Sequence, residues 1–170
     1  MEENVTKLIT RRTALMSAAA SATLALSLPS RVLAATTHDV EMLNVHPEDR
    51  KLRQVFYPRI VTIEPGDTVR FLSTDKGHNS QTTDDMLPAG AEAWKGRINQ
   101  EVDVTFDTPG FYGYHCLPHY ALGMVGLVVV KGDGMMDNLE SAKAVKHRGK
   151  ANAVWEDIWA EVDGMDLMSA

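Results

Sequence analysis

Tyr114-His115-Cys116-Leu117-Pro118-His119-Tyr120-Ala121-Leu122-Gly123-Met124 is the stretch on which the reading of this chain turns. It holds the single cysteine of the 170 residues, a histidine three positions later and a methionine five positions after that. A thiolate, an imidazole and a thioether on one short loop make a soft ligand set. Two His and one Cys in a trigonal plane, with a long, weak axial Met, form the electron-transfer site that copper favours. The loop supplies three of those donors, Cys116, His119 and Met124. His78, in Asp75-Lys76-Gly77-His78-Asn79, is the best candidate for the fourth.

Other chemistries use the same residue types. A lone Cys is usually a small buried hydrophobe. Cys beside His is also the nucleophile and base of a hydrolase, although no oxyanion-hole motif or third orienting residue accompanies the pair here. Zinc takes four strong N, S or O donors in place of a thioether. A periplasmic copper carrier, which hands on the metal and not the electron, is a further alternative. Such a carrier needs an exchangeable site and usually more exposed Met or His ligands, which the tight loop disfavours.

Outward from the loop, apolar residues recur with period two, as half-buried strands require. Val40 and Met42 alternate with Asp39 and Glu41, and Val61 and Ile63 with Thr62 and Glu64. Pro65-Gly66-Asp67 reads as a turn. Val69 and Phe71 follow, then Val102, Val104 and Phe106. Thr108-Pro109-Gly110 turns the chain into a strand from Phe111 to Cys116, and Val125 to Val130 is the last. Short strands between Gly/Pro turns indicate a mainly β sandwich or barrel. Residues 84–98 lack alternation and read as a loop with a helical turn.

Beyond Gly134 the period changes. Asp137-Asn138-Leu139-Glu140 offers an N-cap with an acid three residues later, so a helix is expected to run through Lys146 and stop at Gly149. A second helix, Ala151 to Val162, places Val154, Trp155, Ile158, Trp159 and Val162 on one face, a stripe suited to packing on the sandwich. The helical extension thus covers about 136–163, and no repeat or linker divides residues 35–170, which read as one domain.

Residues 1–34 read as a removed export signal. Arg11-Arg12 precede an apolar run from Ala14 to Leu28, and Val32-Leu33-Ala34 ends in small residues. The 15-residue run is shorter than the roughly 20 residues that a membrane span needs. Thr10-Arg11-Arg12-Thr13-Ala14-Leu15 resembles a twin-arginine signal; its departures at Ala14 and Met16 leave a Sec route open. The whole chain carries −6; residues 1–34 hold four of its basic and two of its acidic residues, so the remainder carries −8. An acidic chain argues against nucleic-acid binding. An odd cysteine in an exported protein needs a purpose, and metal ligation provides one.

Asp75-Lys76-Gly77-His78-Asn79, Asn99 and Tyr114 through Gly126, with Met42-Leu43-Asn44 and Pro65-Gly66-Asp67-Thr68-Val69, resemble the pseudoazurins, blue-copper proteins of the cupredoxin fold. The resemblance covers nearly all of residues 35–170. Plastocyanins share the Cys, two-residue, His, four-residue, Met loop but end at the last strand, so the helical tail separates the two. Azurins and amicyanins use other loop lengths. The resemblance implies an eight-stranded Greek-key β-sandwich with two C-terminal helices. It implies one type 1 copper per chain on His78, Cys116, His119 and Met124, no enzymatic activity, and single-electron delivery in the periplasm. The implied partners are redox proteins such as copper nitrite reductase or a cytochrome, met by transient docking of a monomer that spans no membrane.

The chain departs from that family where His115 precedes Cys116, a place often held by Lys, and where the Val45 to Gln54 segment is slightly longer. Further expectations attach to single residues. Asn79 should reach across to the ligand loop, while Pro118, without an N–H, cannot donate to the Cys116 sulfur. His115 should point away from the metal, with an unperturbed pKa that would modulate docking between about pH 6 and 7. Leu117, Pro118, Tyr120, Ala121 and Leu122, joined by Leu87 and Pro88, should surround His119 as an apolar contact patch. Lys76, Lys95 and Arg97 should flank it and steer an acidic partner.

Overall fold

The period-two segments become strands in the computed structural model, which describes residues 34–167. The expected export segment lies, apart from Ala34, outside the described residues. Eight strands form: β1 (Thr37–Val45), β2 (Arg53–Tyr57), β3 (Ile60–Ile63), β4 (Asp67–Leu72), β5 (Gln81–Thr82), β6 (Val102–Phe106), β7 (Gly110–His115) and β8 (Val125–Val130). They make two four-stranded sheets, ordered β2-β1-β4-β6 and β3-β8-β7-β5. β1 with β4 and β3 with β8 run parallel; the other neighbours are antiparallel. This is a mainly β, cupredoxin-type sandwich.

Alternation decides which side chains meet between the sheets, because successive strand residues face opposite ways. Val40 and Met42 of β1 and Val69 and Phe71 of β4 point inward to meet Val61, Ile63, Tyr112, Tyr114, Cys116, Val128 and Val130. Tyr114 takes the edges or faces of Phe56 at 4.8 Å and Phe71 at 4.9 Å between ring centroids. Each such fully buried side chain contributes about 1.5–3 kcal/mol, which makes the layer beneath the ligand loop rigid.

β7 and β8 are buried at every residue, and β8, Val125 to Val130, accordingly reads as a continuous apolar run. Their outer face, Phe111, Val125, Leu127 and Val129, is covered by helices α1 (Leu139–Ala144) and α2 (Ala151–Asp163). The α2 stripe packs as its spacing foretold, with Trp155, Ile158, Trp159 and Val162 buried and Val154 partly so. α1 is shorter than expected and begins differently. A 3-10 turn, Met135–Asn138, precedes it, and its N-cap Asn138 makes no capping bond. The amide instead accepts from Phe111 N–H (3.0 Å) and donates to Phe111 C=O (2.8 Å). Phe111 lies beyond the two-residue β5, where that edge of β7 has no strand beside it, and Asn138 takes the place of a strand neighbour there.

Two other expectations change. Residues 84–98 hold turns and an isolated bridge, Gln81 to Lys95, with no helical turn. Met86, Leu87, Ala91 and Trp94 of that segment pack onto the two cores, and its backbone bonds to β5 and β7 through Trp94 C=O to Thr82 N–H (3.0 Å) and Met86 C=O to Gly113 N–H (3.0 Å). Those partners replace the local bonds of a helix. Strands β2 and β5 are additions to the alternating segments seen in the sequence.

Candidate metal centre

His78 is carried on the segment after β4, and Cys116, His119 and Met124 on the loop between β7 and β8. The first segment is tied down at several points. Asp75 N–H donates to Met42 C=O (3.0 Å), and the Asp75 carboxylate accepts from Asn44 N–H (2.7 Å). Asn99, at φ +64°, clamps the next turn: its side-chain oxygen accepts from Gly77 N–H (2.6 Å), and its own N–H donates to His78 C=O (2.8 Å).

The ligand loop closes on itself. His119 N–H donates to Cys116 C=O (3.1 Å), Met124 N–H to His119 C=O (3.2 Å), and Cys116 N–H to Met124 C=O (3.0 Å). Asn79 bridges the two segments as expected, its side-chain oxygen accepting from Leu117 N–H at 2.7 Å. Behind the loop, Lys150 N–H donates to Ala121 C=O (2.9 Å). Gly149 there, at φ +60°, lies so close to the Ala121 carbonyl that any Cβ would collide with it.

These restraints bring His78, Cys116 and His119 together. The two Nδ1 atoms stand 3.1 Å apart, and Cys116 Sγ lies 3.8 Å from His78 Nδ1 and 3.5 Å from His119 Nδ1. Metal bonds run to about 2.0 Å for imidazole nitrogen and about 2.3 Å for thiolate, the lengths zinc adopts. Each separation is below the sum of two such bonds, so one ion reaches all three donors. Met124 is fully buried in the same core cluster as Cys116.

The electrostatics suit a cation. His78 Nε2 faces Asn44 Oδ1 at 3.1 Å. An amide oxygen only accepts, so Nε2 carries the hydrogen and Nδ1 presents a lone pair. Such a partner behind a ligating His fixes its tautomer and aims its ring. Burial, then the neighbouring His119, lowers the His78 pKa, and burial lowers that of His119, so both rings favour the neutral, ligating form. Burial pushes the Cys116 thiol up, against the opposing backbone N–H groups of Asn79 and His119. Three donors thus converge with no positive charge of their own; a bound cation would turn the thiol into a thiolate.

Asn44 was visible in the sequence only as part of the resemblance. Its role has one signal: it continues the inward series Val40, Met42 as a polar residue where an apolar one would serve the core. The role of Asn99 has no local signal.

His115 points away from the cluster, as alternation requires. It is buried, bonds Thr83 Oγ1 through Nδ1 (2.9 Å) and stacks on Tyr120 at 4.4 Å. Burial holds its pKa down to about 4, so the expected modulation of docking near neutrality is overturned. The contact patch is also smaller than expected. Leu117 (45% exposed) and Leu122 (53%) stand out with Pro118 and Ala121 around the half-buried His119. Pro88 is buried and does not join it, while Leu87 is half-buried and packs against the core. Lys76, Lys95 and Arg97 are exposed.

A family model of copper binding proteins, the plastocyanin/azurin family, matches residues 42–131. Pseudoazurin of Methylorubrum extorquens is 44% identical over 144 residues, which cover 84% of this chain and 94% of that one. Pseudoazurin of Paracoccus pantotrophus is 42% identical over 87% of this chain and 97% of its own. The solved structure of pseudoazurin from Methylobacterium extorquens AM1, 44% identical, matches with a TM-score of 0.68 over 74% of this chain and 98% of that one. The chain belongs to the copper-binding plastocyanin/azurin family and, within it, to the pseudoazurins, which are copper electron-transfer proteins.

Proposed function

We propose that His78, Cys116, His119 and Met124 hold one type 1 copper, and that the protein shuttles single electrons between periplasmic redox partners and catalyses no reaction of its own. The observation that carries the reading is the convergence of two imidazole Nδ1 atoms and one thiol sulfur within 3.1–3.8 Å of one another. Copper bound there supplies a one-electron couple, Cu(II)/Cu(I), that a thiolate, two imidazoles and a weak thioether serve in both states.

The chain's part is to keep its donors still. His78 is aimed by Asn44, Asn79 ties the two ligand segments together, and the loop's own hydrogen bonds hold Cys116, His119 and Met124 in place. Donors fixed in this way need not rearrange when the electron moves. Buried His78, Cys116 and Met124 also disfavour a carrier, which must release its metal. The half-buried His119 ring, within the apolar patch of Leu117, Pro118, Ala121 and Leu122, is where a docked partner comes nearest. Copper nitrite reductase or a cytochrome is the kind of partner we infer, met transiently by a monomer. Residues 1–34 act as the export signal, leaving 35–170 as the working domain.

Adding Cu(II) to metal-free protein should produce an intense blue that ascorbate bleaches and an oxidant restores. Cys116→Ser should abolish that colour, because the thiolate generates it. A blue Cys116→Ser protein would overturn the ligand assignment.

A further inference from the structure

A line of aromatic rings leads from the ligand loop to α2. Tyr120, which follows His119, stacks on His115 at 4.4 Å, and its hydroxyl meets His147 Nδ1 at 2.7 Å. His147 stacks on Trp155 at 5.1 Å and 21°, and Trp155 on Trp159 at 5.4 Å and 26°. Trp159 reaches the boundary of the fold, 9% exposed. Core packing alone accounts for buried tryptophans. It does not require that a phenol, an imidazole and two indoles form one continuous series beginning beside a metal ligand.

We propose that Tyr120, Trp155 and Trp159 form a second electron exit, from the ligand loop to the outer end of α2, open to strong one-electron oxidants such as peroxide-derived radicals. The proposal goes beyond the docking patch at His119 and rests on the copper reading only for the electron's source. The oxidant takes one electron from the Trp159 indole. Trp155 refills Trp159, and Tyr120 refills Trp155. As Tyr120 loses its electron, its hydroxyl proton passes to His147 Nδ1 along the 2.7 Å hydrogen bond. A reduced copper held by His78, Cys116, His119 and Met124 would supply the electron that restores Tyr120, and His147 returns the proton to the Tyr120 hydroxyl. The net change is one electron from the centre to the oxidant.

The surroundings set the direction. Trp155 Nε1 is buried with no hydrogen-bond partner among the described residues, so an oxidised Trp155 has no base to take its N–H proton and does not retain the hole. Tyr120 has such a base. The Arg148 guanidinium lies 5.2 Å from the Tyr120 ring centroid and opposes a positive charge on that ring, so oxidation there goes with proton loss. Tyr114 is buried with its hydroxyl unpartnered among the described residues and lacks this route. Phe111, 6.2 Å beyond Trp159, is too hard to oxidise to continue the line.

The test uses the full chain loaded with zinc, which is not redox-active, and a ruthenium polypyridyl complex on a cysteine introduced by Ala160→Cys, an exposed α2 position next to Trp159. Flash-quench oxidation should produce a tyrosyl radical by electron paramagnetic resonance. Tyr120→Phe should remove the signal, and Trp155→Phe or Trp159→Phe should lower its rate of appearance by an order of magnitude. In the copper(I)-loaded chain, the blue band should grow as the tyrosyl signal decays. Copper-induced colour without the flash reports fold and metal centre in every variant; if Trp155→Phe loses it, Trp159→Phe carries the test. A tyrosyl signal that survives Tyr120→Phe, or ignores both tryptophan changes in variants that still turn blue, overturns the relay and leaves the copper reading intact.

Discussion

Asn44→Ala removes one atom that matters, the oxygen that accepts from His78 Nε2 at 3.1 Å. The backbone N–H of residue 44 still reaches Asp75, so the segment carrying His78 stays tethered. His78 is fully buried, and its Nε2–H would lose its partner at a cost of about 1–3 kcal/mol. Metal-free protein should lose that much stability in denaturant titrations. A ring freed to rotate no longer holds Nδ1 on the other donors, and loss of such an outer partner typically lowers metal affinity about 10- to 100-fold. That corresponds to about 1.4–2.7 kcal/mol, to be read by chelator competition on the blue band. Asn44→Asp, which keeps an acceptor in place, should recover most of the affinity. An Asn44→Ala protein with wild-type affinity would show that packing alone aims His78, and the reasoning about its tautomer would fail.

Asn138→Ala should destabilise the metal-free protein by roughly 2–6 kcal/mol, about 1–3 for each of the two buried Phe111 backbone groups left unpaired, with little change in the blue spectrum; a loss below 1 kcal/mol by denaturation would remove Asn138's strand-like role. Asp67 would be raised by its burial, but the Thr36 N–H, His38 and the Glu64 N–H together hold its pKa below the ordinary 3.8. A depressed carboxyl contributes stability above its unfolded pKa and loses it as pH falls through the folded one. Stability measured by denaturation should therefore drop below about pH 3.8, and Asp67→Asn should flatten that drop. Lys76→Glu combined with Lys95→Glu should slow electron delivery to an acidic partner severalfold at low salt, with the copper potential nearly unchanged, since charge acts mostly on encounter. Stopped-flow rates across ionic strength decide it, and a wild-type rate that climbs with salt would point to a basic partner.

The parts of the fold legible in the sequence were those that obey a local rule. Inward residues of β1, β3, β4 and β6 alternate, and the α2 stripe repeats with helical spacing. β2 escaped because one deeply buried residue, Phe56, gives it little pattern and Gln54 sits at φ +56°. β5 is two residues long. The capping signal lies on Asp137, three residues before Glu140, but Asp137 falls in the 3-10 turn and the N-cap is Asn138, which turns to the distant Phe111 for two bonds where a helix end offers one. The site shows the same division. Spacing put Cys116, His119 and Met124 on one loop, but the partner that aims His78 lies 34 residues away in the chain. Strand parity gives the direction of His115 but not its charge, because parity is local and burial is not.

The hold of the tail on the ligand loop, through Lys150 on Ala121 and Gly149 beneath the same carbonyl, has an evolutionary consequence. Here a donor loop of another length would have to present a carbonyl at the same place or lose its brace. The tail and the loop are therefore constrained to vary as a pair. Removing the helices should free the loop to take another length, and keeping them ties its length to the brace.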